Sequence, residues 1–246
     1  MMDEFETFSN PPIAEAMLDI KATLPAGADL AMLAQFHEAV RDRFPLKQER
    51  LLQTLQFQTG GNLMPVVGVQ GYLFRSADDT KVVQAKLDGF TFNKLKPYGK
   101  WESFRREAKE LWEKYVALAK PVTVHQIGLR YLNRIGIPHP VKEIRDFFPM
   151  FPEIPSQLPQ GVSNFFMRMA ISDPAPDMAA FITFAMEPFL PESKFAVFIL
   201  DIEIATVPLS LSPDSETLWT KMDSLRKLKN QAFFSAVTEQ TRKLFR

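Results

Sequence analysis

Two arginines four residues apart, in the stretch LRYLNRIGIP (129–138), are the charged groups best placed to do chemistry in this 246-residue chain. Leu129, Tyr131, Ile135 and Ile137 alternate with Arg130 and Arg134. A strand here sends both guanidiniums to one face and the apolar side chains to the other. A guanidinium is a planar fork of donors matched to carboxylates and other oxyanions. The run FAVFIL (195–200), followed by Asp201 and Glu203, offers neighbours of both kinds. If Phe198, Leu200, Ile202 and Ile204 face the covered side, then Phe195, Val197, Ile199, Asp201 and Glu203 share the face of the arginines. Arg168, alternating with Met167 and Met169, falls on that face too, and Lys86 is similarly placed in the first half of the chain.

Two arrangements follow. In one, Arg130 or Arg134 pairs with Asp201 or Glu203 in a cross-strand ladder, each pair giving a few tenths to about 1 kcal/mol. In the other, Arg130, Arg134 and Arg168 hold an anionic head while Phe195, Val197 and Ile199 hold an apolar body. Six consecutive apolar residues in FAVFIL imply a strand that is dry on both faces. Helices cover one face; a lid, a partner chain or a ligand is then needed for the other.

Other chemistries are thinly supplied. The chain has no cysteine, which removes disulfides, thiolate metal sites and a cysteine nucleophile. Its three histidines are His37 on a helical apolar stripe, His125 beside Ile127 and Leu129, and His139 between two prolines. None pairs at metal-ligand spacing, and there is no H-E-x-x-H. Neither a G-x-G-x-x-G nor a P-loop is present, and Gly60-Gly61 has no helix after it. No catalytic residue, metal or cofactor is therefore assigned, although a triad assembled from distant positions leaves no such trace. The 29 Lys+Arg against 29 Asp+Glu give no global pull toward nucleic acid or anionic membrane. Arg226, Lys227, Lys229, Arg242, Lys243 and Arg246 gather near the end; they read as a solvated helix face, with phosphate contact as the alternative. The acidic start MMDEFETFSNPP lacks a secretory apolar core, and no run of about 18 apolar residues spans a membrane. The expected setting is the cytoplasm.

The elements that position these groups read in order. AMLDIKATL (16–24) alternates as a half-buried strand. Asp29 caps a helix carrying Leu30, Leu33, His37, Val40 and Phe44, which Pro45 stops. Strands follow at 51–59, with Leu51, Leu55 and Phe57 inward, at 71–76 and at 82–92, where Gly89 marks a bulge. Trp101, Phe104, Ala108, Leu111, Tyr115 and Leu118 make one stripe of a helix over 101–120. The pattern then restarts with a strand at 122–137 and a short helix at 141–148. Strands at 165–172, 179–186 and 195–207 follow, separated by Pro174 and Pro176 and by Pro188 and Pro191, before a long helix over 215–245. The Pro-rich 149–160 is a long loop, read as a solvated excursion or as a lid.

The expected fold class is α+β: a duplicated β-α-β-β-β-α unit, 1–120 and 121–246, joined in one continuous antiparallel sheet with helices packed on one face. NPPIAEAMLDI (10–20), WESFRREAKELWEKY (101–115), LRYLNRIGIP and LWTKMDSLRKLKNQAF (218–233) together resemble a sporadically distributed family of uncharacterised prokaryotic proteins. That resemblance implies no defined activity; the patchy occurrence of such proteins implies carriage on mobile cassettes and a role in defence against phage. The doubled order also looks like a TBP-like or helix-grip architecture, a class that includes nucleic-acid binders and carriers of apolar ligands. The functional expectation is a non-enzymatic binding protein for an amphiphilic, lipid-like ligand or a partner protein. Nucleic-acid binding across the sheet and an enzyme with a dispersed site are the alternatives, and a homodimer is one way to cover the dry face.

Overall fold

The computed structural model describes residues 5–57, 63–172, 177–188 and 192–246, without the side chains of 52–57 and 63–66. Leu55, Phe57, Gly60-Gly61, Pro174, Pro176 and Pro191 lie outside these described residues or side chains, and Leu51, expected inward with Leu55 and Phe57, is 61% exposed. The fold is α+β, with nine strands among the described residues. The first half runs β1 (Ile13–Thr23), α1 (Leu30–Ala34), α2 (Phe36–Val40), β2 (Leu46–Phe57), β3 (Leu63–Arg75), β4 (Lys81–Lys86), β5 (Gly89–Leu95) and α3 (Trp101–Ala119). The second runs β6 (Thr123–Pro138), β7 (Phe165–Ser172), β8 (Met178–Met186), β9 (Phe195–Thr206), α4 (Glu216–Ala236) and α5 (Glu239–Arg242).

Several elements depart from the sequence expectation for local reasons. The strand expected over 82–92 is the β4–β5 hairpin, turned at Leu87-Asp88, and Gly89 is its positive-φ residue (139°) instead of a bulge. The helix expected over 141–148 shrinks to a 3-10 turn, Ile144–Asp146, because Pro140 and Pro149 confine it. The last helix breaks at Val237, after which Thr238 caps α5 by accepting from the Thr241 N–H. The helix after Asp29 divides at Gln35.

The chain forms two bodies, 17–127 with 208–219, and 1–16 with 128–207 and 220–246. Each draws on both halves of the sequence. In the first body the strand order is β2-β3-β4-β5-β1, and the β2–β3, β3–β4 and β4–β5 ladders are antiparallel. The even-numbered residues Leu18, Ile20 and Ala22 of β1 are buried with Val83, Ala85, Phe90 and Phe92. Helix α3 lays Trp112 and Tyr115 over Phe90, both at 5.8 Å between ring centroids. Its Phe104 stacks on Phe92, and Phe36 of α2 meets both Phe74 and Tyr115. Two buried aromatic tips find partners: the Tyr115 hydroxyl donates to the Lys86 carbonyl (2.8 Å) and Trp112 Nε1 to the Pro213 carbonyl (2.8 Å). Burial raises the Tyr115 pKa well above its ordinary value.

The β3–β4 turn is held by one carboxylate. Asp78 accepts from Ser76 Oγ, the Thr80 N–H and Thr80 Oγ1, and these bonds hold its pKa at about 2. The unfolded value is 3.8. A depressed carboxyl stabilises the fold above the unfolded pKa, and that contribution is lost as pH falls through the folded one. Asp78→Asn is therefore expected to flatten the melting temperature profile between pH 4 and pH 2 relative to the parent chain. Parallel profiles for the two proteins would contradict this.

In the second body the order is β6-β9-β8-β7, and the β6–β9, β8–β9 and β7–β8 ladders are antiparallel. Leu129, Tyr131, Ile135 and Ile137 are buried with Ile182, Phe184, Phe198, Leu200, Ile202 and Ile204. Phe148 sits at 4.8 Å from both Phe184 and Phe198, and Phe165 at 4.9 Å from Phe184. Asn133 also lies on this buried face, where its amide donates to the Leu200 carbonyl at 2.9 Å. Lys229 of α4 places its ammonium 4.1 Å from the centre of the Tyr131 ring. The helices of this body thus cover the face of β6 opposite to Arg130 and Arg134. The loop 149–160 anchors Phe151 against Phe165, on the helix-side parity of β7, so its aromatic anchor is away from the arginine face.

Candidate functional site: the open face of the second body

Ladder registers turn the open face into a grid. Phe166, Ala185, Ile199 and Arg134 form one row across β7, β8, β9 and β6. Arg168, Thr183, Asp201 and Leu132 form the next, and Ala170, Phe181, Glu203 and Arg130 the third. Val197 and Phe195 continue β9 beyond the first row, opposite Gly136 and Pro138. All six residues singled out from the sequence, Arg130, Arg134, Arg168, Phe195, Val197 and Ile199, therefore stand on this face.

The arginines are held in three different ways. Arg130 ignores Glu203 directly opposite and reaches diagonally to Asp201, with Nε 2.8 Å from Oδ1 and Nη2 2.5 Å from Oδ2. This two-bond fork raises the Arg130 pKa further, and the nearby Glu203 and Glu15 charges add to it. Arg134 forks onto Glu187, with Nε to Oε1 at 3.0 Å and Nη2 to Oε2 at 2.9 Å. Its pKa rises for the same reason. Arg168 instead lies over the Phe181 ring at 5.8 Å and, among the described residues, makes no ion pair.

The apolar groups differ in exposure. Phe195 is 48% exposed, packed beside Gly136, where an added Cβ would meet its ring at 3.4 Å. Phe166 is 73% exposed at the β7 end of its row. Val197, Ile199, Phe181 and Leu132 are half-buried. FAVFIL is thus dry on its helix side and partly wetted on the other.

Glu187 was missed in the sequence because it follows β8 and next to Pro188 reads as loop; only the register places it beside Arg134. A second polar cluster was also missed as a cluster. In the first body Lys86 is 6% exposed at its side chain, and its ammonium donates to Asp19 Oδ1 at 2.6 Å. Thr91 Oγ1 donates to the same oxygen. Gln84 donates to Asn93 Oδ1 (3.0 Å) and accepts from Arg50 Nε (3.2 Å). Lys86 is thus buried against a carboxylate of its own body.

Every carboxyl with a displaced pKa, namely Glu6, Asp78, Asp177 and Glu239, is displaced downward. These groups suit charge pairing and capping rather than proton donation near neutral pH. Among the described residues no helix is long and apolar enough to cross a membrane, and no group of three or more His, Asp or Glu is placed to hold a metal ion. The chain matches no protein-family model. No curated protein matches it in sequence either.

Proposed function

We propose that the chain is a non-enzymatic binding protein whose open sheet face in the second body docks a partner protein. The observation that carries this is the filling of the arginine forks. Arg130 and Arg134 each hold a carboxylate of this same chain, the Arg134–Glu187 fork reaching across β9 from beside Ile199 to beside Val197, so the face offers exposed Phe195 and half-buried Val197 and Ile199 among charge-neutral pairs. Aromatic anchors within a compensated polar rim are the anatomy of protein interfaces. The face is also a sheet surface, whereas a small ligand needs a concavity that buries most of it. A second reading has its own observation: among the described residues Arg168 meets no carboxylate and stands over Phe181, a cation beside apolar surface that suits the head of an amphiphilic, lipid-like ligand. Nucleic-acid binding is the weaker alternative, because Arg130 and Arg134 are neutralised before any phosphate arrives.

Native mass spectrometry of the chain purified from its own cells, followed by organic extraction, separates these readings. Partner docking predicts a heteromeric mass that is lost in Phe195→Asp with Ile199→Asp and retained in Arg130→Ala with Arg134→Ala. The arginine variant is expected to lose about 2–4 kcal/mol of stability and still fold, most of it from Asp201, which is 13% exposed and loses its fork, and little from the solvated Arg134–Glu187 pair. An extracted small amphiphile lost in Arg168→Ala would favour the second reading. A chain carrying neither overturns both.

A further inference from the structure

β7 is the last strand in its sheet order, and the hydrogen-bond parity of its neighbours shows where its backbone points. In an antiparallel ladder each residue turns its N–H and C=O to one edge, and the next residue to the other. The Glu187 N–H donates to the Val197 carbonyl (2.9 Å) and the Val207 N–H to the Asp177 carbonyl (2.7 Å). Both bonds continue the β8–β9 ladder, which runs without a register shift, so odd-numbered residues of β8 face β9. Met186, Phe184, Ile182 and Ala180 therefore face β7, where they meet Phe165, Met167, Met169 and Ile171. The other β7 residues, Phe166, Arg168, Ala170 and Ser172, aim their backbone groups at the outer edge. Among the described residues nothing on the backbone bonds there. These four side chains are also exposed.

Exposed edges are ordinarily blunted by proline, charged side chains or a bulge. β7, FFMRMAIS, has no proline and an unbroken register, and its one charge, Arg168, is drawn over the Phe181 ring of β8. It instead shows Phe166 (73% exposed) and Ile171 (49% exposed) on its two faces. We propose that this edge pairs antiparallel with β7 of a second copy of this chain, about a twofold axis passing at Met169.

Every twofold centred on a β7 residue keeps like faces together, and those at Arg168, Met169 and Ala170 pair at least three of the four outward residues within the strand. An axis at Arg168 opposes the two arginines, which repel. An axis at Ala170 leaves Phe166 opposite nothing within the strand. The axis at Met169 uses all four outward residues: Phe166 with the partner's Ser172, and Arg168 with the partner's Ala170, each reciprocated. That makes about eight backbone hydrogen bonds. Arg168 then faces a small neutral residue, and Met167 covers the partner's Ile171. The interface is isologous and closes, so it makes a dimer and not a fibre.

Met169 opposite the partner's Met169 is a non-hydrogen-bonded pair, for which the Cα separation is about 4.5 Å, within disulfide reach. The chain has no cysteine to confuse the test. Met169→Cys is expected to give a dimer under mild oxidation, reversed by reductant. Met167→Cys, on the same face but far from its own copy, is expected to give none. Ala170→Pro removes an outward N–H while leaving the β7–β8 bonds in place, and is expected to convert the dimer to a monomer in sedimentation. A parent chain that sediments as a monomer overturns the proposal. So does equal cross-linking of the two cysteine variants, or a dimer that survives Ala170→Pro.

Discussion

Gly89→Ala is expected to destabilise the chain by more than about 3 kcal/mol, with a melting temperature roughly 10 °C lower. The argument has two parts. Gly89 holds φ at 139°, which L side chains rarely adopt. A Cβ there would also stand 2.0 Å from the Ile20 carbonyl oxygen and 2.9 Å from the Lys21 Cα. Those are backbone atoms of β1, so no rotamer change relieves the collision. The same hairpin turn lets the Ala22 N–H donate to the Asp88 carbonyl at 3.0 Å, and displacing β1 weakens that bond too. Gly71, with its would-be Cβ 2.2 Å from the Ala85 oxygen, belongs to the same class. Gly68 is the control: nothing lies within 4 Å of its added Cβ, and Gly68→Ala is expected to stay within about 0.5 kcal/mol. Indistinguishable melting curves for Gly89→Ala and Gly68→Ala would refute the close approach.

Asp19→Ala is the second large effect, at about 3–5 kcal/mol. It strips the carboxylate from the buried Lys86 ammonium and also orphans the Thr91 hydroxyl. Lys86→Met is expected to cost less, because Asp19 is 24% exposed at its side chain against 6% for Lys86, and so it keeps some water when unpaired. The double variant Asp19→Ala with Lys86→Met is expected to recover much of the loss of Asp19→Ala, since no buried charge is then left unpaired. Urea denaturation of the four proteins measures this cycle. Additive losses would show that the two groups do not interact.

Period-two and helical patterns carried most of the fold. The alternation in β1 and β6 put the right residues inside because each strand is covered on one face only, so burial writes itself into every second position. The stripe Trp101, Phe104, Ala108, Leu111 and Tyr115 is buried in α3. Trp112 was not legible: it follows Leu111 on the flank of that stripe, and its burial depends on the Pro213 carbonyl far away in sequence. Gly89 was visible as an anomaly, but a bulge and a hairpin turn look alike until Phe90 and Ala85 are paired. Within the candidate site, strand parity sufficed to place Arg130, Arg134, Arg168 and Phe195 on one face. It did not reveal which carboxylate each arginine meets. A side chain as long as arginine reaches diagonal neighbours as readily as opposite ones, so Arg130 took Asp201 over Glu203, and Arg134 found Glu187 beyond the end of β8.

The second body is assembled from three separated stretches of chain, and Phe8, Phe233, Phe234 and Phe245 pack together from its two outermost ones. The Asn10 N–H donates to the Phe245 carbonyl (2.9 Å), and Arg246 is clasped by Glu6 and Glu239. During synthesis residues 5–16 emerge long before 239–246, so this body cannot close until its last stretch has been made. The first body holds all but 208–219 of its residues in the unbroken run 17–127 and has most of its partners in hand far sooner. The exposed strands of the late body, FFMRMAIS among them, must therefore wait for α4 and α5 while still tethered to the ribosome, and that interval is when a holding chaperone has most to do.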